Sequence, residues 1–144
     1  MKPYFETKLG KLYQCDCLDV MKSIPDNSVT GICTDPPAGI SFMGKNWDSN
    51  KGGRDQWIEW LTTVMQECLR IIKPGGMMLV WSIPRTSHWT ATAIENAGFE
   101  IREKIYHLFG SGFPKSRDFW NTDIKPEIEN QLHNQGVIGS ILWK

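Results

Sequence analysis

The chain lacks a surplus of charge of either sign: across 144 residues, 16 Lys and Arg balance 16 Asp and Glu. A polypeptide that grips nucleic acid over a broad surface carries a basic excess, because phosphate contacts supply most of the affinity. Any nucleic-acid contact here must therefore come from a local patch. Also lacking are an apolar run long enough to span a bilayer and an N-terminal signal-peptide pattern, so a cytoplasmic protein is expected, with no membrane association. Cysteine is scarce and poorly spaced for a metal. Cys15 and Cys17 make a Cys-x-Cys pair, not the Cys-x-x-Cys of zinc sites, and Cys33 and Cys68 stand apart. No metal site and no disulfide is expected, and the four read as reduced, mostly buried thiols. Internal repeats and low-complexity segments are absent too, which leaves an ordinary globular composition of 40% hydrophobic and 22% charged residues.

What is present reads as alternating strands and helices. Strands are expected at Lys11–Cys15, Val29–Thr34, Met77–Trp81 and Ile101–Phe109. Met77–Trp81 is apolar throughout, as in a strand buried on both faces, whereas Ile101–Phe109 alternates. Helices are expected at Leu18–Ser23, Asp55–Ile72, Ser87–Ala97 and Glu127–Gln135. In the longest, Trp57, Leu61, Val64, Met65, Cys68, Ile71 and Ile72 form one apolar stripe, and Pro74-Gly75-Gly76 stops it. Ser87 is the expected N-cap of the next helix and Gly98 its C-cap. Trp57 and Trp81 are expected in the core. The chain is one domain, 1–144, with 119–144 a helix plus a tail.

This order is the grammar of an α/β protein with a doubly wound, mostly parallel sheet. Ligands bind beyond the carboxyl ends of strands in such sheets. Three places come into view: Asp16, Asp35, and Ser82–Arg85. At the second, Asp35-Pro36-Pro37 follows a strand directly. Two consecutive prolines donate no backbone hydrogen bonds and hold φ fixed, so the turn is rigid and presents one carboxylate and bare carbonyls.

Around that turn the motifs fall in a particular order. Cys15-Asp16-Cys17-Leu18-Asp19-Val20-Met21 precedes Thr34-Asp35-Pro36-Pro37. Then come Phe42-Met43-Gly44-Lys45 with Trp47-Asp48, Leu69 to Gly76, Gly98-Phe99-Glu100-Ile101-Arg102, and Phe109 to Ser116. From about Leu12 to about Asp118 the chain resembles the N6-adenine and N4-cytosine DNA amino-methyltransferases. The likeness is closest to phage and prophage members in which the catalytic motif precedes the cofactor motif. The resemblance implies a partial S-adenosylmethionine-dependent methyltransferase fold. It also implies a chemistry that suits these residue types. An exocyclic amine is a poor nucleophile because its lone pair is delocalised into the ring. The Asp35 carboxylate and the Pro36 carbonyl, with Pro37 fixing the turn, would accept both amine hydrogens and favour a localised lone pair. The target base must be flipped out of the duplex to reach them. The methyl donor would be S-adenosylmethionine, with Asp16 and Asp35 as its contacts.

The chain departs from that family in two ways. The position after the prolines, usually aromatic for stacking on the base, is Ala38; Phe42 and Trp47 are the nearest substitutes. The cofactor-binding glycine motif is missing. Phe109-Gly110-Ser111-Gly112 looks like it but matches a different family segment. Without the strands of the cofactor half, Lys11–Cys15 is expected to pair directly with Val29–Thr34. The alternatives are a second polypeptide or a homo-oligomer over the open sheet edge, or the tail Val137–Trp143 inserted as a strand.

Lys45, Arg85 and His88, with Phe42 and Trp47, are the candidate contacts to target base or DNA. Lys115 and Arg117, with Lys104 and His107 before them, make the best basic cluster. Two functions are compatible with these readings. One is the catalytic half of a DNA amino-methyltransferase, inactive alone and completed by a partner. The other is a catalytically dead, phage-type derivative that binds nucleic acid or blocks a host defence protein.

Overall fold

The structure, a computed structural model, describes residues 2–108 together with 126, 127 and 130. The chain divides into two compact units, Met1–Glu103 and Lys104–Lys144. The first unit holds strands β1 (Phe5–Glu6), β2 (Lys11–Leu12), β3 (Val29–Thr34) and β4 (Ile72–Val80). Its helices are α1 (Cys17–Met21), α2 (Arg54–Ile71) and α3 (Ser87–Asn96), with two short 3-10 turns at Phe42–Gly44 and Asn46–Asp48. In the second unit, residues 104–108 have no regular structure and Pro126, Glu127 and Asn130 are helical. The rest of the expected Glu127–Gln135 helix and the Val137–Trp143 tail lie outside the described residues.

The centre of the first unit is a strand–helix–strand crossover. β3 and β4 pair in parallel, with Ile32 opposite Met78, Cys33 opposite Leu79 and Thr34 opposite Val80. α2 connects them and forms because its apolar residues recur on one face: Trp57, Leu61, Met65, Cys68 and Ile71 are all buried. Complete burial of Trp57, Leu61 and Met65 contributes about 1.5–3 kcal/mol each before the entropy of ordering is subtracted. α3 packs on α2 through Ala93 and Ile94, and Ile32, Met78 and Val80 reach the same core from the strands. α3 stops at Asn96 with Ala97 as its C-cap, one residue earlier than expected, and Gly98 follows in the left-handed region at φ 105°. Its N-cap position is Thr86, one residue earlier than expected.

β4 begins at Ile72, earlier than Met77, and its start is irregular. Val29 pairs with Ile72 and Gly31 with Met77, so extra residues loop out around Pro74-Gly75-Gly76. Pro74 has no N–H to give the ladder. At Gly76 a Cβ would lie 2.6 Å from Ile72 Cγ1, so the bulge closes only over a glycine.

Several expectations are corrected here. Lys11–Cys15 is not a sheet strand beside Val29–Thr34. Only Lys11 and Leu12 are extended, and they pair antiparallel with Phe5 and Glu6. The local turn wins: the Thr7 hydroxyl accepts the N–H groups of Leu9 and Gly10, and Thr7 N donates to Gly10 O at 2.8 Å. Phe5 and Leu12 stay exposed, so no burial draws this hairpin inward. Met77–Trp81 is not buried on both faces either. Met77, Leu79 and Trp81 are exposed, and Trp81 is not a core residue. Ile101–Phe109 is not a strand as far as Leu108, the last described residue there. Ile101 and Ile105 are exposed and no neighbour pairs with them among the described residues. A strand exists only through such a partner. Of the cysteines, three are exposed and only Cys68 is buried; burial pushes its thiol up to about 11. Among the described residues the doubly wound sheet is represented by the one parallel pair β3–β4, with helices on one face. No helix among them is long and apolar enough to cross a membrane.

α1 is too short to stand alone. Asp16 caps it by accepting the Leu18 N–H at 2.8 Å. Arg70 on α2 then rivets it down, donating to the carbonyls of Met21 (2.7 Å) and Ile24 (3.0 Å) and pairing with Glu67 and Asp26.

Candidate active site

β3 ends at Thr34, whose carbonyl accepts the Trp81 N–H at 2.8 Å. This fastens the carboxyl ends of β3 and β4 together at the point where Asp35-Pro36-Pro37 departs. Asp35 is exposed, while Pro36, Pro37 and Ala38 are half-buried. The carboxylate therefore stands in solvent on a turn whose body is wedged into the protein.

Three contacts hold the segment just after the prolines. Thr86, itself buried, donates its hydroxyl to the Ala38 carbonyl at 2.8 Å. Occupying the N-cap position of α3, Thr86 would ordinarily turn that hydroxyl to the helix, but it makes no side-chain cap hydrogen bond. Trp57, fully buried, lies under Gly39, where a Cβ would come within 2.7 Å of the indole Nε1. Gly39 also has φ 72°, a conformation costly for any residue with a side chain. Asp48 is the third contact. It is buried at 1% exposure, and its two oxygens accept the N–H groups of Gly39 (2.9 Å) and Phe42 (2.8 Å). Burial alone would raise its pKa. The backbone N–H groups of Phe42, Gly39, Ala38 and Ile40 outweigh that and hold the carboxyl below the usual aspartate value.

Between Ser41 and Asp48 the chain makes a closed loop, its neck fastened by Ser41 N donating to Asp48 O at 2.7 Å. Phe42, Met43 and Trp47 project from it at 55%, 78% and 58% exposure, and Lys45 is exposed as well. Arg85 and His88, both exposed, flank Thr86, so the Thr86–Ala38 bond brings their segment against the Asp35 loop. The structure thus gathers Asp35, Pro36 and Pro37 with the segments bearing Phe42, Lys45, Trp47, Arg85 and His88. Asp16 stands at the start of α1, with one of its oxygens occupied as a cap. Lys115 and Arg117 lie outside the described residues. A groove of about 530 Å³ between α2 and α3, lined by Arg54, Glu59, Thr62, Gln66 and Asn96 among others, contains none of the candidate residues.

Sequence reasoning missed Thr86, Trp57 as the floor under Gly39, and Asp48 as a clamp. A glycine two residues after a pair of prolines, with an acidic residue nine positions further on, was the available signal for Gly39 and Asp48. Thr86 gave none.

The parallel crossover of β3 and β4 thus carries an exposed Asp-Pro-Pro turn at its carboxyl end. The profile of the N6/N4 DNA methylases, described as DNA methylase, matches residues 29–127, beginning at the first residue of β3. The chain belongs to this family. It is 38% identical over 85 residues to the Type II methyltransferase M.BamHI of Bacillus amyloliquefaciens, covering 59% of the chain and 20% of that protein. It is 40% identical over 113 residues to the DNA adenine methyltransferase YhdJ of Escherichia coli (strain K12), covering 77% of the chain and 37% of that protein. With the Type II methyltransferase M.BglII of Bacillus subtilis the figures are 28% over 143 residues, 94% and 35%. The chain thus spans between 20% and 37% of the length of these three relatives. No solved structure matches it.

S-adenosylmethionine is the usual cofactor of the family. Of its two expected contacts, Asp16 has one oxygen engaged at the α1 N-terminus and Asp35 is exposed.

Proposed function

We propose that this chain supplies the base-holding half of a DNA N6-adenine or N4-cytosine methyltransferase. The observation that carries the reading is the exposed Asp35 carboxylate on a proline-stiffened turn, wedged between Thr86, Trp57 and the Asp48-clamped loop. Asp35 and the Pro36 carbonyl accept the two hydrogens of a flipped base's amine, and Pro37 keeps both acceptors in place. Phe42 and Trp47 stand in for the ring that Ala38 lacks, and Lys45, Arg85 and His88 face the DNA. The cofactor half of the family lies outside residues 1–144. It would cover the open edge and face of the β3–β4 pair.

The test uses methyl transfer from labelled S-adenosylmethionine to DNA. Residues 1–144 alone should transfer nothing. Supplied with the cofactor-binding half of a relative, the chain should become active, and Asp35→Ala should lower turnover at least about a hundredfold, roughly 2.7 kcal/mol. Turnover retained within about tenfold would remove Asp35 from the chemistry. A second reading rests on Ala38 in place of the family's aromatic residue and on the lack of a cofactor glycine motif within residues 1–144: a catalytically dead relative that binds nucleic acid or a host defence protein. It predicts DNA binding by the chain with no restoration of activity by any cofactor-binding half.

A further inference from the structure

The Ser41–Asp48 loop is held in a conformation its sequence does not favour. Ser41 and Met43 have φ 53° and 52°, and Gly39 and Gly44 are left-handed as well. Strain of this kind persists only where surrounding contacts over-determine it, and it concentrates at functional sites. Backbone bonds close the loop, among them Ser41 N to Asp48 O, and the side chain that adds to them is one carboxylate, buried at 1%, which accepts backbone N–H groups at both ends of the Gly39–Phe42 segment. What the strain achieves is visible in the side chains. Three large apolar groups, Phe42, Met43 and Trp47, are turned to solvent within six residues of one another, although nothing in the loop gains by exposing them.

Resting on the DNA reading above, we propose that Asp48 is a positioning residue: its carboxylate fixes the Ser41–Asp48 loop so that Phe42, Met43 and Trp47 form a preorganised apolar surface for an unpaired nucleobase. Base stacking on aromatic side chains is sequence-tolerant and strong enough to be read by substitution. A loop already in its bound shape loses less entropy on binding. Asp48 touches no base in this scheme and acts through Phe42, the residue whose N–H it holds.

The test uses the full chain and fluorescein-labelled DNA duplexes, one fully paired and one carrying a single unpaired adenine. The first measurement is amide hydrogen exchange without DNA. Asp48→Asn turns an amide NH2 toward one of the two backbone N–H donors that the carboxylate accepts, so exchange at Gly39 and Phe42 should rise at least about tenfold while α2 amides are unchanged. The second is binding. Phe42→Ala and Asp48→Asn should each weaken the unpaired-adenine duplex about tenfold and the paired duplex much less. In the double variant Asp48→Asn should add little, because its effect is routed through Phe42. A merely structural Asp48 would give additive losses on both duplexes. Unchanged exchange at Gly39 and Phe42 overturns the proposal, and so does wild-type binding that Asp48→Asn leaves intact. If the wild-type chain binds neither duplex, the base-contact surface and the DNA reading fail together. Should Asp48→Asn not fold, NMR of the wild-type carboxyl carbon decides. It should titrate below the usual aspartate range with the Gly39 and Phe42 amides moving in step, and independent movement overturns the clamp.

Discussion

The two faces of the β3–β4 pair are made from the same strands and meet opposite surroundings. On one, Ile32, Met78 and Val80 pack against the core of α2 and α3. On the other, Cys33, Met77, Leu79 and Trp81 are exposed, with Leu79 at 58%. Alternation of side chains along a strand guarantees that neighbours face opposite ways. It does not guarantee that both faces are covered. From Met77 to Val80 β4 has the apolar composition of a central strand in a parallel sheet, yet only one face of it is buried among the described residues. The difference teaches that burial read from composition reports what a strand is suited to, not what the chain at hand provides.

That contrast can be broken most directly by substitution on each face. Leu61→Ala, beneath the covered face and fully buried, should cost about 2–5 kcal/mol in urea unfolding. Leu79→Ala, on the bare face, should stay within about 1 kcal/mol. Equal costs at the two positions would mean that the bare face is covered in solution.

An intermediate effect is expected at Gly39, where the site rests on the covered side. Gly39→Ala meets both the φ of 72° and the Trp57 indole, 2.7 Å from the new Cβ. A loss of about 1–3 kcal/mol should follow, with a change in near-ultraviolet circular dichroism as the indole shifts. A neutral substitution would show that the loop is not seated on Trp57.

The smallest effect concerns acid. The carboxyl of Asp48 lies below its unfolded value in the folded chain. Its contribution is therefore fully present above about pH 4, and is lost as pH falls through the lower folded value. Wild type and Asp48→Asn should differ in urea midpoint near neutrality and converge in acid. A constant difference at all pH values would show that the side chain's shape matters and its charge does not.

Much of this was legible beforehand because it was periodic or rigid. The stripe from Trp57 to Ile71 predicts α2 to within a residue, and Val29–Thr34 is the observed β3. Asp35-Pro36-Pro37 lies at the end of β3, since proline chemistry fixes the turn whatever surrounds it. What failed depended on partners. Lys11–Cys15 and Ile101–Phe109 have strand-like composition, but a strand is defined by its neighbour, and composition does not name one. Trp81 failed for the same reason. Thr86 and Asp48 were out of reach because their roles arise from hydrogen bonds to backbone groups. One reaches 48 residues along the chain and the other nine, and neither leaves a pattern in side-chain type.

The Arg70 rivet has a consequence for the order in which the molecule assembles. Its bonds to Ile24 and Met21 span 46 and 49 residues. A five-residue helix cannot nucleate alone, and the guanidinium that secures its end sits in the last turn of α2. α1 therefore docks only after α2 has folded through nearly its whole length, and it should be first to detach when the chain unfolds. Pulse-labelling hydrogen exchange should find the amides of Val20 to Ile24 protected after those of Leu61 to Cys68. Simultaneous protection would place α1 in the folding nucleus instead.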